Sequence, residues 1–503
     1  MDPSNAGHLV AAFAEFFPGA KEIGSYVGGR LIPGTGDEIQ LFDPATGEKS
    51  VSYRDAGADV ARLACVAAQE AQKTWWSMTH AARGRILYAV AARIRASAES
   101  LGRLESISTG KPIRDSRREA EMVAEMFEFY AGWADKFYGD VIPVPTTHLN
   151  YTRREPYGTI LHVTPWNIPI LSFGWQVAPT IAVGNACLLK PSELTPFTSL
   201  AVASLAEQAG LPVGLINVLT GYGHTTAQAA ISDGAVRKVV FVGSPSTGAK
   251  IAASAAKQLI PCILELGGKS ANIVFDDANL DLAAIGAQAA VYSGTGQSCT
   301  AGSRLLVQRR VYDQLVDKVA EGARRLRVGH PMEASTEIGP VSNRNQYEHI
   351  KRMIAIGVEE GAQLAAGTTH FEPGGYFVPP TLFAGVSNAM QVARTEIFGP
   401  VIAAIPFDTE EEAIAIANDN EFGLAGAVWT TDVGRAHRVA DQVDAGTFWI
   451  NGYRSVHVAS PFGGYKNSGY GRTSGIEGLY EYTQTKSIWV QTAAAPLTRV
   501  GRA

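Results

Sequence analysis

Residues 159–190 read TILHVTPWNIPILSFGWQVAPTIAVGNACLLK. No Lys, Arg, Asp or Glu occurs between Glu155 and Lys190, a stretch long enough to cross a bilayer. Its own residues argue against that. Pro165, Pro169, Gly174, Pro179 and Gly184 would break a spanning helix, and Trp166, Asn167 and Gln176 sit inside it. The β-rich ends TILHV and ACLLK, with a helix-like middle, predict strand, turn, helix and strand buried in an α/β core.

The same alternation continues outward. INVLTG, KVVFVG and CILELGG follow as further strands, with helix-like segments such as SLAVASLAEQAG between them. Strands alternating with helices predict βαβ units and a parallel sheet, with ligands at the carboxyl ends of the strands. Asn167, Lys190, Gly221, Gly243 and Glu265 collect at those ends. A second series, SANIVF, SRLLVQ, PVIAAIPF, LAGAVWT and GTFWIN, predicts another α/β unit beginning near Lys269. Asp59 to Phe137 reads as helical. GDVIPVPTTHLNYTRREP and TKSIWVQTAAAP are short and β-prone, so they are expected to pair with each other and with another subunit.

Composition sets the outer limits. A chain of 503 residues needs two or three domains, and 46% hydrophobic with 18% charged residues is a globular balance. Lys and Arg (43) fall short of Asp and Glu (48), so no nucleic-acid partner is expected; Arg117-Arg118 and Arg309-Arg310 read as solvated helix faces. The four cysteines, at 65, 187, 262 and 299, have neither disulfide-framework nor metal-ligand spacing. They imply a reducing compartment and no metal. The first residues lack a basic run and carry Glu15 within their apolar stretch, so no secretory signal is expected and the location implied is cytoplasmic.

Several residue types suggest chemistry. Cys65, Cys187 and Cys262 lie in apolar runs, as small buried residues do. Cys299 lies among Gly, Gln, Ser and Thr in GTGQSCTAGSR, where a glycine-flanked turn can keep a thiol accessible. That window alone leaves nucleophile and structural residue both open. Glu265 ends an apolar strand, where desolvation would raise its pKa toward that of a general base; the alternative is an ion pair with Lys269. Asn167 offers a neutral donor for an oxyanion. G-x-G-x-x-G is absent, but Gly243-Ser244 before a helix starting near Thr247 can receive a phosphate or simply cap that helix. Lys190 and Glu193 of KPSE could hold ribose hydroxyls, and an acidic ribose partner favours NAD over NADP.

TPWNIP, KPSE, FVGSPSTG, LELGGKS, GQSCTAGSR, EIFGPV and SPFGGYKNSGYGR, in this order over nearly the whole chain, resemble the successive signatures of the aldehyde dehydrogenase superfamily. The resemblance implies an α/β fold. A variant Rossmann cofactor domain would span 1–137 and 158–268, and an α/β catalytic domain 269–467. A β-flap for oligomerisation would take 138–157 and 484–503, and 468–483 would return to the cofactor domain. It further implies Cys299 as nucleophile, Glu265 as general base, and an oxyanion hole from the Asn167 side chain and the Cys299 N–H. Lys190 and Glu193 would hold the adenosine ribose, Ser244 the pyrophosphate, and Glu396 and Phe398 the nicotinamide ribose and ring. Val163, Thr164, Trp166, Gly223, Gly243 and Leu266 would complete the cofactor groove. The reaction implied is NAD-dependent oxidation of an aldehyde to its acid through a thiohemiacetal and a thioester, by a homodimer or homotetramer.

Two positions depart from the pattern. A lysine common after the tryptophan following PWN is Gln176 here, and a glutamate common after the C-terminal Gly-Arg is Thr473. If that pair is a charged proton relay, both partners are missing together, leaving water to carry the proton from Glu265. The substrate wall is expected at Phe173, Trp175 and Phe462, with Met122 and Met126 opposite and Arg454 and His457 at the mouth. Arg454 would pair with the carboxylate of a semialdehyde acid, or be a solvated or interface arginine; the aromatics suit an aromatic aldehyde or an ordinary core. A CoA-acylating enzyme or a non-catalytic protein on the same fold are the alternatives. Glu265 speaks against the first, and Cys299, Glu265 and Asn167 together against the second.

Overall fold

The predicted apolar runs form strands, and they divide between two sheets. The computed structural model describes residues 5–494. In the first sheet Ile216–Val218, Ala186–Lys190, Thr159–Val163, Val236–Val242 and Cys262–Glu265 lie side by side and parallel. The first strand in sequence is thus central, with the next two to one side and the last two to the other. The order reverses between Thr159–Val163 and Val236–Val242, where a doubly wound sheet leaves its ligand crevice. Thr159–Val163 and Ala186–Lys190 are buried along their whole length, as strands covered on both faces must be. Antiparallel edges were not foreseen: Ser25–Val27 and Arg30–Ile32 close one side, and Gly469–Tyr470 pairs with Cys262–Glu265 on the other.

The stretch quoted above folds as read, with helix Pro169–Ala182 between its two strands. That helix packs against Ile113–Trp133, one of four helices filling the region expected to be helical.

The second sheet runs Gln363–Ala366, Thr381–Ala384, Val401–Phe407, Arg304–Gln308, Ala271–Val274, Ala425–Trp429 and Thr447–Ile450, parallel except for the first. Alternate residues feed opposite faces: Leu306 joins one apolar cluster, Leu305 and Val307 the other. Gln363–Ala366 and Thr381–Ala384 were not foreseen.

The two peripheral β-prone segments pair with each other. Thr483–Gln491 lies antiparallel to His148–Pro156 over nine residue pairs, and Val141–Ile142 extends the sheet. The end of the expected flap, 495–503, lies outside the described residues.

Connectivity then positions the site. The chain leaves the carboxyl end of Cys262–Glu265, crosses Leu266 to Ser270, and enters the amino end of Ala271–Val274. A cleft forms where the carboxyl edge of the first sheet faces the amino edge of the second.

Candidate active site

Cys299 precedes strand Arg304–Gln308, at the amino edge of the second sheet. The turn before it is built from three residues with positive φ, Gly294 (63°), Thr295 (58°) and Gly296 (71°). Gly296 has a second constraint, since a Cβ there would lie 2.0 Å from the Gly399 carbonyl oxygen. Thr295 accepts its strained conformation while donating to the Gly339 carbonyl at 3.0 Å. Asn167 follows strand Thr159–Val163 and donates from Nδ2 to the Gln297 carbonyl at 2.8 Å. An amide carries two such hydrogens, so one fixes the side chain and the other stays available.

Glu265 ends its strand almost fully buried. Burial lifts its carboxyl to about 7, partly opposed by the Thr473 hydroxyl and the Arg472 charge. Thr473 donates to Oε1, and Trp175 Nε1 donates to the Thr473 oxygen at 3.0 Å. The alternative ion pair does not form: the buried Lys269 Nζ has no hydrogen-bond partner, and burial with nearby Arg304 lowers it to about 7. The double glycine has a steric role. A Cβ on Gly268 would meet the Cys299 carbonyl oxygen at 2.3 Å, and one on Gly267 the Glu396 carboxylate at 2.2 Å. Only bare backbone lets base, thiol and Glu396 share this space.

Cys299, Asn167 and Glu265 line one cavity of about 220 Å³, with Trp166, Gly243, Ser244, Leu266, Glu396 and Phe398 also on its wall. The Cys299 thiol is pushed up to about 12, first by burial and then by Glu396 and Glu265, whereas Arg454 favours the thiolate. Glu396 accepts from the Gly268 N–H at 3.0 Å, and burial holds its carboxyl near 7. Phe398 has φ 53° and meets Trp166 edge to face at 5.3 Å. A larger cavity of about 450 Å³, between helix Asn5–Ala14 and the Glu38–Arg54 hairpin, includes none of these residues.

The expected adenosine side lies along the same strand ends. Lys190 is buried, donates to the Gly221 carbonyl at 3.0 Å and stands 3.7 Å from Glu193. Val163 ends the neighbouring strand, and the next residue, Thr164, has its Oγ1 buried without a partner. Gly223 opens the turn after Gly221, where a Cβ would meet nothing within 4 Å. Ser244 caps helix Pro245–Ala256 by accepting from the Thr247 N–H at 3.4 Å. An orphan hydroxyl, a helix N-terminus and a lysine–glutamate pair on one groove fit a dinucleotide.

Some expectations fail. Phe173 is fully buried and stacks on Phe127 at 6.4 Å, so it belongs to the core between helices Pro169–Ala182 and Ile113–Trp133 and not to a substrate wall. Met126 is buried there too, against Gly174. Trp175 and Phe462 do meet, edge to face at 5.8 Å. Arg454 is not simply solvated. It is half-buried, with φ 63°, donates to the Ser293 carbonyl at 3.0 Å and forms no ion pair among the described residues. Gln176 and Thr473 do not share one vacancy: Gln176 Oε1 lies 3.1 Å from His162 Nδ1, whereas Thr473 holds Glu265. Gln346 and His349 on the same cavity wall were missed. Gln346 Nε2 donates to the carbonyls of Ile397 (2.8 Å) and Phe398 (3.0 Å), supporting the strained loop. On helix Arg344–Glu359 two polar residues three apart look like any solvent face, so the sequence carried no signal.

A doubly wound sheet with a polar groove at its switch point places the protein in the α/β class that binds nucleotide ligands at the carboxyl ends of its strands. Comparison with known proteins narrows the class. The model of the Aldehyde dehydrogenase family matches residues 31–488. The betaine aldehyde dehydrogenase of Mesorhizobium japonicum is 41% identical over 93% of this chain and 97% of its own. Human retinal dehydrogenase 2 is 39% identical over 92% of this chain and 89% of its own. Among solved structures, betaine aldehyde dehydrogenase from Staphylococcus aureus in complex with NAD+ superposes with a TM-score of 0.93 at 34% identity, covering 97% of this chain and 98% of that one. The chain belongs to the aldehyde dehydrogenase family, and it is an NAD(P)-dependent enzyme acting on the aldehyde group of its substrate. Among the described residues no helix is long and apolar enough to cross a membrane.

Proposed function

We propose that the protein oxidises an aldehyde bearing its own carboxylate to the corresponding acid, with NAD as cofactor and Cys299 as nucleophile. One observation carries the reading: a thiol, an amide donor and a basic carboxylate share a single cavity wall. Cys299 sulfur bonds to the aldehyde carbon, and the resulting oxyanion accepts from the free Asn167 N–H and the Cys299 backbone N–H. NAD, when bound, supplies the acceptor for the hydride leaving that carbon. Lys190 and Glu193 would hold its adenosine ribose, Ser244 its pyrophosphate, and Glu396 and Phe398 its nicotinamide end. Val163, Thr164, Trp166, Gly223, Gly243 and Leu266 would line the rest. Glu265 then takes a proton from water, whose oxygen attacks the thioester, and the carbon–sulfur bond breaks to release the acid and the Cys299 thiolate.

The carboxylate on the substrate is inferred from Arg454, whose charge reaches Cys299 and which has no acidic ion-pair partner among the described residues. Asp115 and Glu119 lie within its electrostatic range, yet neither bridges to it. A guanidinium beside the nucleophile repels a cationic substrate, so betaine aldehyde, named for two of the relatives, is expected to be poor. The same reading divides the chain into cofactor segments 1–137 and 158–268, a catalytic segment 269–467, and a flap from 138–157 and the C-terminal strand. Trp489 and Val490 lie exposed on that flap, which supports a homodimer or homotetramer.

The test follows NADH formation with acidic, neutral and cationic aldehydes, with NAD and with NADP. Cys299→Ala should abolish it. Arg454→Ala should lower kcat/KM for acidic aldehydes about tenfold or more relative to neutral ones, the loss expected for a charge-assisted hydrogen bond. Equal losses for both would refute the acidic substrate. Any loss common to both reports the support Arg454 gives the thiolate.

A further inference from the structure

Thr473 sits between two groups that leave its hydroxyl no choice of direction. An indole N–H can only donate, so the Thr473 oxygen must accept from Trp175 at 3.0 Å. Its single proton then points to Glu265 Oε1. The reverse arrangement would have Glu265 donate from Oε1, leaving the Thr473 proton without an acceptor at a site with no solvent exposure. An unmade hydrogen bond at such a site is disfavoured. The backbone enforces the geometry: Thr473 N–H donates to the Phe462 carbonyl at 2.8 Å and Phe462 N–H to the Thr473 carbonyl at 2.7 Å. Phe462 in turn meets Trp175 edge to face, at 5.8 Å and 85°.

We propose that Thr473, oriented by Trp175, is the positioning residue of Glu265: a one-way hydrogen-bond chain that keeps Oε1 an acceptor in both protonation states and confines proton exchange to Oε2. The inference rests on the function proposed above and deepens its second half. Glu265 Oε2 accepts no hydrogen bond among the described residues, and Glu265 lines the cavity shared with Cys299. In thioester hydrolysis one water proton passes to Oε2 while the water oxygen bonds to the acyl carbon and the carbon–sulfur bond breaks. That proton has no exit through Thr473, because the chain ends on an indole that cannot accept it. Gln176, turned toward His162, offers no second route. The proton therefore leaves Oε2 through the cavity itself. The other titratable groups whose charge reaches Glu265 are Arg472, Tyr482 and Cys299, and none is interposed in the chain.

The experiment separates the NADH burst from acyl-enzyme hydrolysis, each measured against pH, in the full-length protein with NAD and its best aldehyde. Thr473→Val removes the donor to Glu265. The acid limb of hydrolysis should move up by about one pH unit, making hydrolysis roughly tenfold slower below the limb, with the burst amplitude unchanged. Thr473→Ser should restore the limb. Trp175→Phe frees the hydroxyl to rotate and should shift the limb in the same direction by less. A Thr473→Val limb at the wild-type position, or a Thr473→Ser variant that does not recover, would overturn the proposal and leave Thr473 a packing role. A wild-type burst beside an unmoved limb removes only the role of Thr473. A wild type that forms no NADH with any aldehyde overturns both readings.

Discussion

Replacing Glu265 by Gln should stabilise the fold while stopping turnover, and the gain should grow with pH. Carrying a carboxyl from its ordinary 4.5 to about 7 penalises its charged form by about 3 kcal/mol, at roughly 1.4 kcal/mol per pH unit. Desolvation is the main cause, and Gln, being neutral, escapes it while its amide oxygen can still accept from Thr473. The sign follows from proton binding. Between pH 4.5 and 7 the folded state keeps a proton that the unfolded chain has lost, so wild-type stability falls as pH rises through that window. The advantage of Glu265→Gln should be below about 1 kcal/mol at pH 5 and about 3 kcal/mol at pH 9. For a chain of 503 residues melting as one unit, that is a Tm difference growing by roughly 2–3 °C. Calorimetry of both proteins from pH 5 to 9 measures it. Other titrating groups are common to both and cancel in the difference. A Tm difference that stays flat with pH would refute the claim that Glu265 is held as a costly buried base. In the same variant a single NADH burst should survive while steady turnover collapses.

Two further predictions concern the thiol and the oxyanion. Glu396→Gln removes the carboxylate that, after burial, does most to raise the Cys299 thiol, yet keeps an acceptor for the Gly268 N–H. Alkylation of Cys299 by iodoacetamide at pH 9, followed by site-resolved mass spectrometry, should become roughly threefold faster or more; an unchanged rate would show that burial alone sets this thiol. Asn167→Ala should slow the NADH burst by about a hundredfold to a thousandfold, the usual effect of losing one oxyanion donor. The acid limb of acyl-enzyme hydrolysis should stay in place, because Asn167 bonds to Gln297 and not to Glu265.

Much of the fold could be read from local pattern. Most strands of the two parallel arrays are unbroken β-rich runs, so burial on both faces is written in the residues themselves. The antiparallel edge strands Arg30–Ile32, Gln363–Ala366 and Gly469–Tyr470 carry no run of four apolar residues, so nothing local marks them as buried. Glu265 and Asn167 stood out because each is a polar residue at the end of an apolar strand, where burial needs a purpose, and Cys299 because its neighbours are Gly, Gln, Ser and Thr where the other cysteines lie in apolar runs.

What local pattern could not decide was which side chains meet. Glu265 has Lys269 four residues away, but its partner is Thr473, 208 residues on. Phe173 and Trp175 are two residues apart in one helix, and 3.6-residue periodicity turns one into the core while the other reaches Thr473. Gln176 and Thr473 look like one missing pair in the sequence, and the helix turns Gln176 to His162 instead. The sequence leaves Arg454 either at the tunnel mouth or solvated, and the fold lays its loop against the Cys299 turn. Strand identity depends on neighbours a few residues away, so the chain alone determined it. The proton chemistry of Glu265 depends on desolvation and on a hydroxyl from the far end of the molecule, and only the folded structure brings those together.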